Sequence, residues 1–314
     1  MYELIRANKR NSWLLVFFTS LLLLALTGSI GMAASNGDAG AGLVGAAVGL
    51  IVAFIMFLIS WFGGRGMILS MSGAKRIEHD DNPQLFNVVE EMSIAAGVPM
   101  PEVYLIEDSA PNAFATGRDP DHSAVAVTTG ILEKLDRDEL QGVIAHEMSH
   151  VRNYDIRFSM LMAVMVGSMA LISDAYLRGT FWGGGRRSES NEKSGGAGTI
   201  VFVLLAVIFA ILAPLVGKLI QLAVSRQREF LADASAAELT RYPEGLAQAL
   251  LKISHDEDVL EVANRATQHL YIVNPIKPFE DRAKALFSTH PPIEERVARL
   301  RSIAQQAQPA PSVS

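Results

Sequence analysis

Two uninterrupted apolar runs constrain this chain more than any other feature. Residues 14–31 read LLVFFTSLLLLALTGSIG and residues 43–62 read LVGAAVGLIVAFIMFLISWF, and neither contains a charge. A hydrocarbon layer about 30 Å thick is crossed by roughly 20 helical residues, so each run is long enough to span it. Two later stretches meet the same requirement, the first of them if its Asp174 lies at the interface, and a buried core helix is the competing reading of each. Residues 158–172 continue to Leu177 with Asp174 near the end, and residues 199–224 carry only Lys218. Pro214 removes one backbone donor from that last stretch and should kink it. The expectation is four transmembrane helices in two hairpins. A signal peptide is the competing reading of the first run, because Arg6, Lys9 and Arg10 precede it. The run exceeds the roughly 7–15 residues of a signal core and a second span follows at once, which favours a retained anchor.

Basic residues set the orientation. Arg6, Lys9 and Arg10 precede the first span, Arg65, Lys75 and Arg76 follow the second, and the loop between them carries only Asp38. Both ends of that hairpin should therefore face the cytoplasm. The Gly- and Ser-rich stretch at 182–198 holds Arg186, Arg187 and Lys193 on the opposite side, a local exception that the first hairpin overrules.

Composition narrows the chemistry. Lys and Arg number 27 against 33 Asp and Glu, a formal net charge of −6, unlike the basic stripe of a nucleic-acid binder. There is no cysteine, which excludes a disulfide framework, a thiolate metal site and a Cys nucleophile. Any bound metal must be held by His, Asp or Glu.

Between and after the spans the pattern is that of a folded domain. Residues 82–96 have helical periodicity and end at Gly97. Residues 102–106, 112–116 and 123–128 read as short strands. Asp136 followed by Glu139 is a capping box, opening a helix expected to run through Tyr154. Helices are also expected over 221–241, 244–255 and 292–306, followed by a disordered tail.

The helix begun at Asp136 carries His146-Glu147-Met148-Ser149-His150. Positions i and i+4 share a helix face about 6 Å apart along the axis, so two imidazoles there can grip one zinc ion while Glu147 deprotonates a water. A catalytic zinc takes three protein ligands and leaves one position open. No third histidine follows at short spacing, so the third ligand must come from far along the chain. Glu229 and Asp233, also i and i+4, are candidates: one can bind zinc while the other hydrogen-bonds a ligand imidazole. The alternative for both is a solvated charged face beside the membrane.

HEMSH, two spans and then SRQREFLADASA together resemble the HtpX family of bacterial membrane zinc metalloproteases and, more distantly, the CAAX prenyl endopeptidases. The likeness extends over the N-terminal hairpin, PNAFATG, and His290-Pro291-Pro292 with Arg296. The resemblance implies one Zn2+ per chain held by His146, His150 and Glu229, with Glu147 as general base and Asp233 orienting a ligand histidine. It implies a mainly α fold with a small antiparallel β-sheet, in which four transmembrane helices carry a cytoplasmic zincin-like (gluzincin) protease domain. It also implies cleavage of misfolded or damaged membrane proteins under stress, at the bacterial inner membrane.

By the same likeness Asn112, Ala113, Phe114 and Ala115 are expected to form an exposed sheet edge to which an extended substrate adds as a strand, with an ordinary hairpin strand as the alternative. His290 and Arg296 resemble a family element near the active site, where a donor could stabilise an oxyanion; a turn and helix start is the alternative reading of His290-Pro291-Pro292. Asp155, His79, His122, His255 and His269 read as surface or structural. The expected organisation is an N-terminal hairpin at 1–66, a first protease segment at 67–155 and a second hairpin at 156–224. A second protease segment at 225–305 and the tail at 306–314 complete it. The expected partners are polypeptides and lipid, with no nucleic acid. A catalytically inactive metal-binding scaffold is the alternative, and the intact Glu147 counts against it. A transporter is disfavoured because the spans hold few polar groups.

Overall fold

In the computed structural model, which describes residues 2–35, 37–166, 226–256, 258, 270–272 and 291–307, the two charge-free runs lie within long helices. These are α1 (Tyr2–Ala34) and α2 (Ala39–Met71). Among the described residues, these two helices are long and apolar enough to cross a membrane, with mean hydropathies of 2.2 and 2.7. The hydroxyls of Thr19, Ser20 and Thr27 donate to carbonyls one turn back, Leu15, Val16 and Leu23. That is how polar side chains are satisfied inside an apolar rod. Large side chains stand on the outside, with Leu43 at 74% and Phe62 at 73% exposed, an arrangement that water penalises and hydrocarbon does not. The proposed third span is described only to Val166, and the fourth, the Gly-rich stretch, His269, His290 and the tail beyond Ala307 lie outside the described residues; Gln306 and Ala307, expected in a disordered tail, belong to the last helix.

The chain divides into two compact units. One gathers Arg10–Gly64 with the chain from Leu161. The other gathers the N-terminal residues through Lys9, Arg65–Met160 and the described residues from 226 onward.

In this second unit the elements fall close to their expected places. Helix α3 (Pro83–Ala96) is opened by the Asn82 side chain, which accepts from the Leu85 N–H, and buries Leu85, Val88, Val89 and Met92 on one face. A four-stranded sheet contains β1 (Lys75–Arg76), β2 (Glu102–Ile106), β3 (Ala113–Gly117) and β4 (Ser123–Thr128), in the order β1-β2-β4-β3. It is mixed, not antiparallel as expected: β2 and β4 run parallel, while β1–β2 and β3–β4 are antiparallel. Alternation along a strand gives no direction. The chain between β2 and β4 is long enough for a parallel crossover, and it places β3 beyond β4 at the sheet edge.

Thr128 caps the short helix α4 (Thr129–Lys134). Helix α5 (Arg137–Arg152) then starts on the predicted capping box, with both the Asp136 and Glu139 bonds formed. It ends two residues earlier than expected. Tyr154 adopts a left-handed φ of 62°, and the chain turns into α6 (Asp155–Leu161), followed by a π-helical turn at Met162–Val166.

Helices α7 (Arg226–Thr240), α8 (Pro243–His255) and α9 (Ile293–Ala307) complete the unit. Small residues let α5 meet its neighbours closely. Ala232, Ala236 and Ala237 are buried on α7, and a Cβ on Gly142 of α5 would lie 2.6 Å from the Leu246 backbone nitrogen of α8. The core formed by α3, α5, α8 and one sheet face includes Val125, Val127, Leu140, Ile144, Leu246 and Leu250. Helix α5 is held on several sides, so its histidines have a rigid mount.

Candidate metal centre

Helical spacing puts His146 and His150 on one face of α5, and α7 brings Glu229 to them. Ligand atoms of these three residues all lie within 4.8 Å of one another. The two Nε2 atoms are 3.2 Å apart. The Glu229 carboxylate oxygens stand 3.7 Å from His146 Nε2 and 3.6 Å from His150 Nε2. Donors around a tetrahedral zinc at 2.0–2.1 Å are separated by about 3.3 Å, so the set is close to the required size.

The tautomers follow from the outer partners. His146 Nδ1 is 3.0 Å from Asp233 Oδ1, and His150 Nδ1 is 3.0 Å from Asp155 Oδ2. An ionised carboxylate only accepts, so each Nδ1 carries the proton and each Nε2 lone pair faces the centre. Arg296 Nη2 lies 3.4 Å from His146 Nδ1, which with Nδ1 protonated is a close approach of two donors, not a bond. Two lone pairs 3.2 Å apart require something positive between them. Without a metal that is a proton: the pKa of His150 is raised to about 9, because burial, which opposes its charge, is outweighed by Asp155 and Glu229. Burial holds His146 below its ordinary value despite Asp233. A divalent ion bound by both Nε2 atoms and Glu229 would take that proton's place.

Glu147 is 2% exposed and its pKa is raised to about 7, chiefly by burial, with the negative charge of Glu229 adding to it. The Ala115 backbone N–H hydrogen-bonds its carboxylate and partly offsets the rise. A carboxyl group poised near neutrality can take up and release a proton at physiological pH.

Arg296, at the start of α9, is fully buried. Its Nε and Nη2 donate to Asp233 at 2.8 and 2.6 Å, and its Nη1 donates to the Ile272 carbonyl at 3.1 Å. Burial opposes the ionisation of Asp233, but the Arg296 charge and hydrogen bonds hold its carboxyl below the ordinary range. The guanidinium expected near an oxyanion is thus committed behind His146, on the residue that orients it. His290 lies outside the described residues.

The four residues of the expected substrate edge are distributed differently. Strand β3 is at the edge of the sheet, but every residue from Ala113 to Gly117 is buried. The Asn112 N–H donates to Thr128 Oγ1, and its side-chain oxygen accepts from the Ala113 N–H. The Ala113 carbonyl accepts from the Ile272 N–H at 3.0 Å, and the Phe114 ring meets Tyr271 edge to face. The edge is therefore partly covered by Leu270–Ile272, a segment distant in sequence. Of the four, only Ala115 lines the cleft that contains His146, Glu147, His150 and Glu229.

Asp155 escaped the sequence reading. In a helix continued through Tyr154, His150 and Asp155 would be about 140° apart around the axis. The helix instead stops at Arg152, and the left-handed Tyr154 swings the carboxylate back onto the imidazole. The local signal was five-residue spacing across an unforeseen helix end.

The family profile described as "Peptidase family M48" matches residues 79–304. The chain is 44% identical over 309 residues to the "Protease HtpX homolog" of Dictyoglomus thermophilum, covering 97% of this chain and 95% of that one. The protein of the same description from Tropheryma whipplei (strain Twist) is 44% identical over 314 residues, covering 98% and 99%. Among solved structures, the crystal structure of S. mikatae Ste24p is similar at 19% identity and a TM-score of 0.49, covering 96% of this chain and 67% of that one.

Proposed function

Given that this chain belongs to peptidase family M48 and is a metalloprotease, we propose that it is an integral-membrane zinc endopeptidase. Its substrates are misfolded or damaged membrane proteins, cut at the cytoplasmic membrane surface as part of stress-linked quality control. The observation that carries the zinc assignment is the pair of Nε2 atoms 3.2 Å apart, each facing Glu229.

His146, His150 and Glu229 would hold the ion. Bound there, zinc supplies Lewis-acid polarisation and acidifies water. The remaining work falls to the chain's own groups. The Glu147 carboxylate takes a proton from the attacking water as its oxygen bonds to the peptide carbonyl carbon. It returns the proton to the amide nitrogen as the C–N bond breaks. Asp233 and Asp155 hold the imidazoles in the tautomer and orientation that ligation needs. Arg296 fixes Asp233, and the outward edge of β3 at Ala115 is the stretch of strand beside Glu147 where an extended chain can align.

The membrane reading is supported by α1 and α2. The nearness of His150 along the chain to the proposed third span, and of Glu229 to the fourth, supports a site at the membrane surface. The test is purified full-length protein carrying Glu147→Gln. Zinc should stay at one per chain while casein cleavage falls by at least about 10²-fold. Undiminished cleavage removes Glu147 from the mechanism, and zinc retained after Glu229→Ala removes the third ligand.

A further inference from the structure

We propose that Asn8, on the N-terminal helix, is a positioning residue for the metal centre: its side-chain amide fixes Asp155 against His150, so that the membrane anchor forms part of the protease site. The proposal rests on the zinc reading above.

Asn8 is 4% exposed and lies in the same compact unit as the metal cluster. One amide group reaches three partners. Nδ2 donates to Asp155 Oδ1 at 2.6 Å and to the Asn153 carbonyl at 2.9 Å, and Oδ1 accepts from Arg228 Nη1 at 3.4 Å. The other oxygen of Asp155 receives the His150 ring at 3.0 Å. Arg228 also pairs with Asp155 Oδ1 at 3.4 Å and immediately precedes Glu229. A single residue thus touches the carboxylate behind His150 and the arginine that pairs with that carboxylate.

The segment it braces needs bracing. Tyr154 holds a φ of 62°, which costs an ordinary side chain free energy and persists only where the surroundings enforce it. Lys9, the next residue of α1, places its ammonium 4.0 Å from the centre of the Tyr154 ring. Two consecutive residues of α1 therefore clamp the turn that returns Asp155 to His150. Six residues after Asn8 in sequence the apolar run begins at Leu14. The rod that anchors the chain in lipid carries the brace of its metal ligand.

The test uses full-length protein in detergent and reads zinc affinity by chelator competition and the visible spectrum of the cobalt-substituted site. Asn8→Ala should lower zinc affinity about tenfold, the low end of the range for outer partners of metal ligands. It should also change the cobalt bands and reduce kcat with KM unchanged. Asn8→Asp keeps the volume but sets a carboxylate against Asp155, and should lose more, with the same far-UV spectrum as wild type. Adding Asn8→Ala to Asp155→Ala should cost nothing further, because Asn8 acts through Asp155. Independent, additive losses would overturn the proposal, as would unchanged affinity and cobalt spectrum in both Asn8 variants. Wild-type protein that binds no zinc overturns the metal reading itself and this proposal with it, a result distinct from either of those.

Discussion

Arg296→Met isolates the energetics of the buried support behind His146. The guanidinium is fully buried, makes two hydrogen bonds to Asp233 and one to the Ile272 carbonyl, and its Nη1 lies 3.7 Å from Glu229. Methionine approximates the volume and deletes the charge and the donors. Breaking a buried ion pair on one side costs about 3–5 kcal/mol, because the remaining charge is left without compensation. At about 2–4 °C per kcal/mol for a domain of this size, the melting midpoint should fall by roughly 6–20 °C. The assay is thermal unfolding of chelator-stripped protein in detergent, followed by intrinsic fluorescence. The double variant Arg296→Met/Asp233→Asn removes both charges of this pair and should regain a large part of the loss. The pH dependence carries a sign. Arg296 holds the folded Asp233 below its unfolded value of about 3.9, so the stability it contributes is complete above that pH and drains away as pH falls through the folded pKa. Wild type and variant should therefore converge in acid. A midpoint within about 2 °C of wild type at pH 7, or no recovery in the double variant, would show that the pair does not support the fold as argued.

Two further outcomes follow from the geometry. In metal-free protein the His150 pKa is about 9, and a ligand imidazole must be neutral, so zinc uptake at pH 7 displaces a proton. Titration calorimetry in buffers of different ionisation enthalpy should register that release, and zinc affinity should rise about tenfold per pH unit from about 6.5 to 8.5; a flat profile would contradict the proton placed between the rings. Gly142→Val sets a branched side chain where even a Cβ would lie 2.6 Å from the Leu246 nitrogen. It should cost about 1–3 kcal/mol or more through overpacking, with zinc lost as α5 is pushed off α8; a wild-type melting profile would argue against so tight a crossing.

The parts of the site legible in the sequence are those encoded by local spacing. His146, Glu147 and His150 needed only a helix, and the Asp136–Glu139 box announced one. Glu229 and Asp233 were visible as a pair, and the three-dimensional arrangement separates their positions: Glu229 faces the Nε2 atoms and Asp233 the far nitrogen of His146. What stayed hidden depends on how distant segments meet. Asp155 required a helix to end early, and Asn8 lies 147 residues away from the carboxylate it holds. Arg296 was placed near the site, but which face it presents depends on the docking of α9. The parallel pairing of β2 with β4 and the covering of β3 by Ile272 arise from crossover paths that strand alternation cannot report.

The cluster draws on positions as far apart in the chain as Asn8 and Arg296. A ribosome releases His150 well before Glu229, an interval of roughly 4–16 s at 5–20 residues per second, and Arg296 later still. A half-made copy holds two imidazoles with no carboxylate to complete their grip. The scattered layout thus delays the onset of cutting until Arg296 has been made, and spares each nascent molecule a blade that works before its own handle exists.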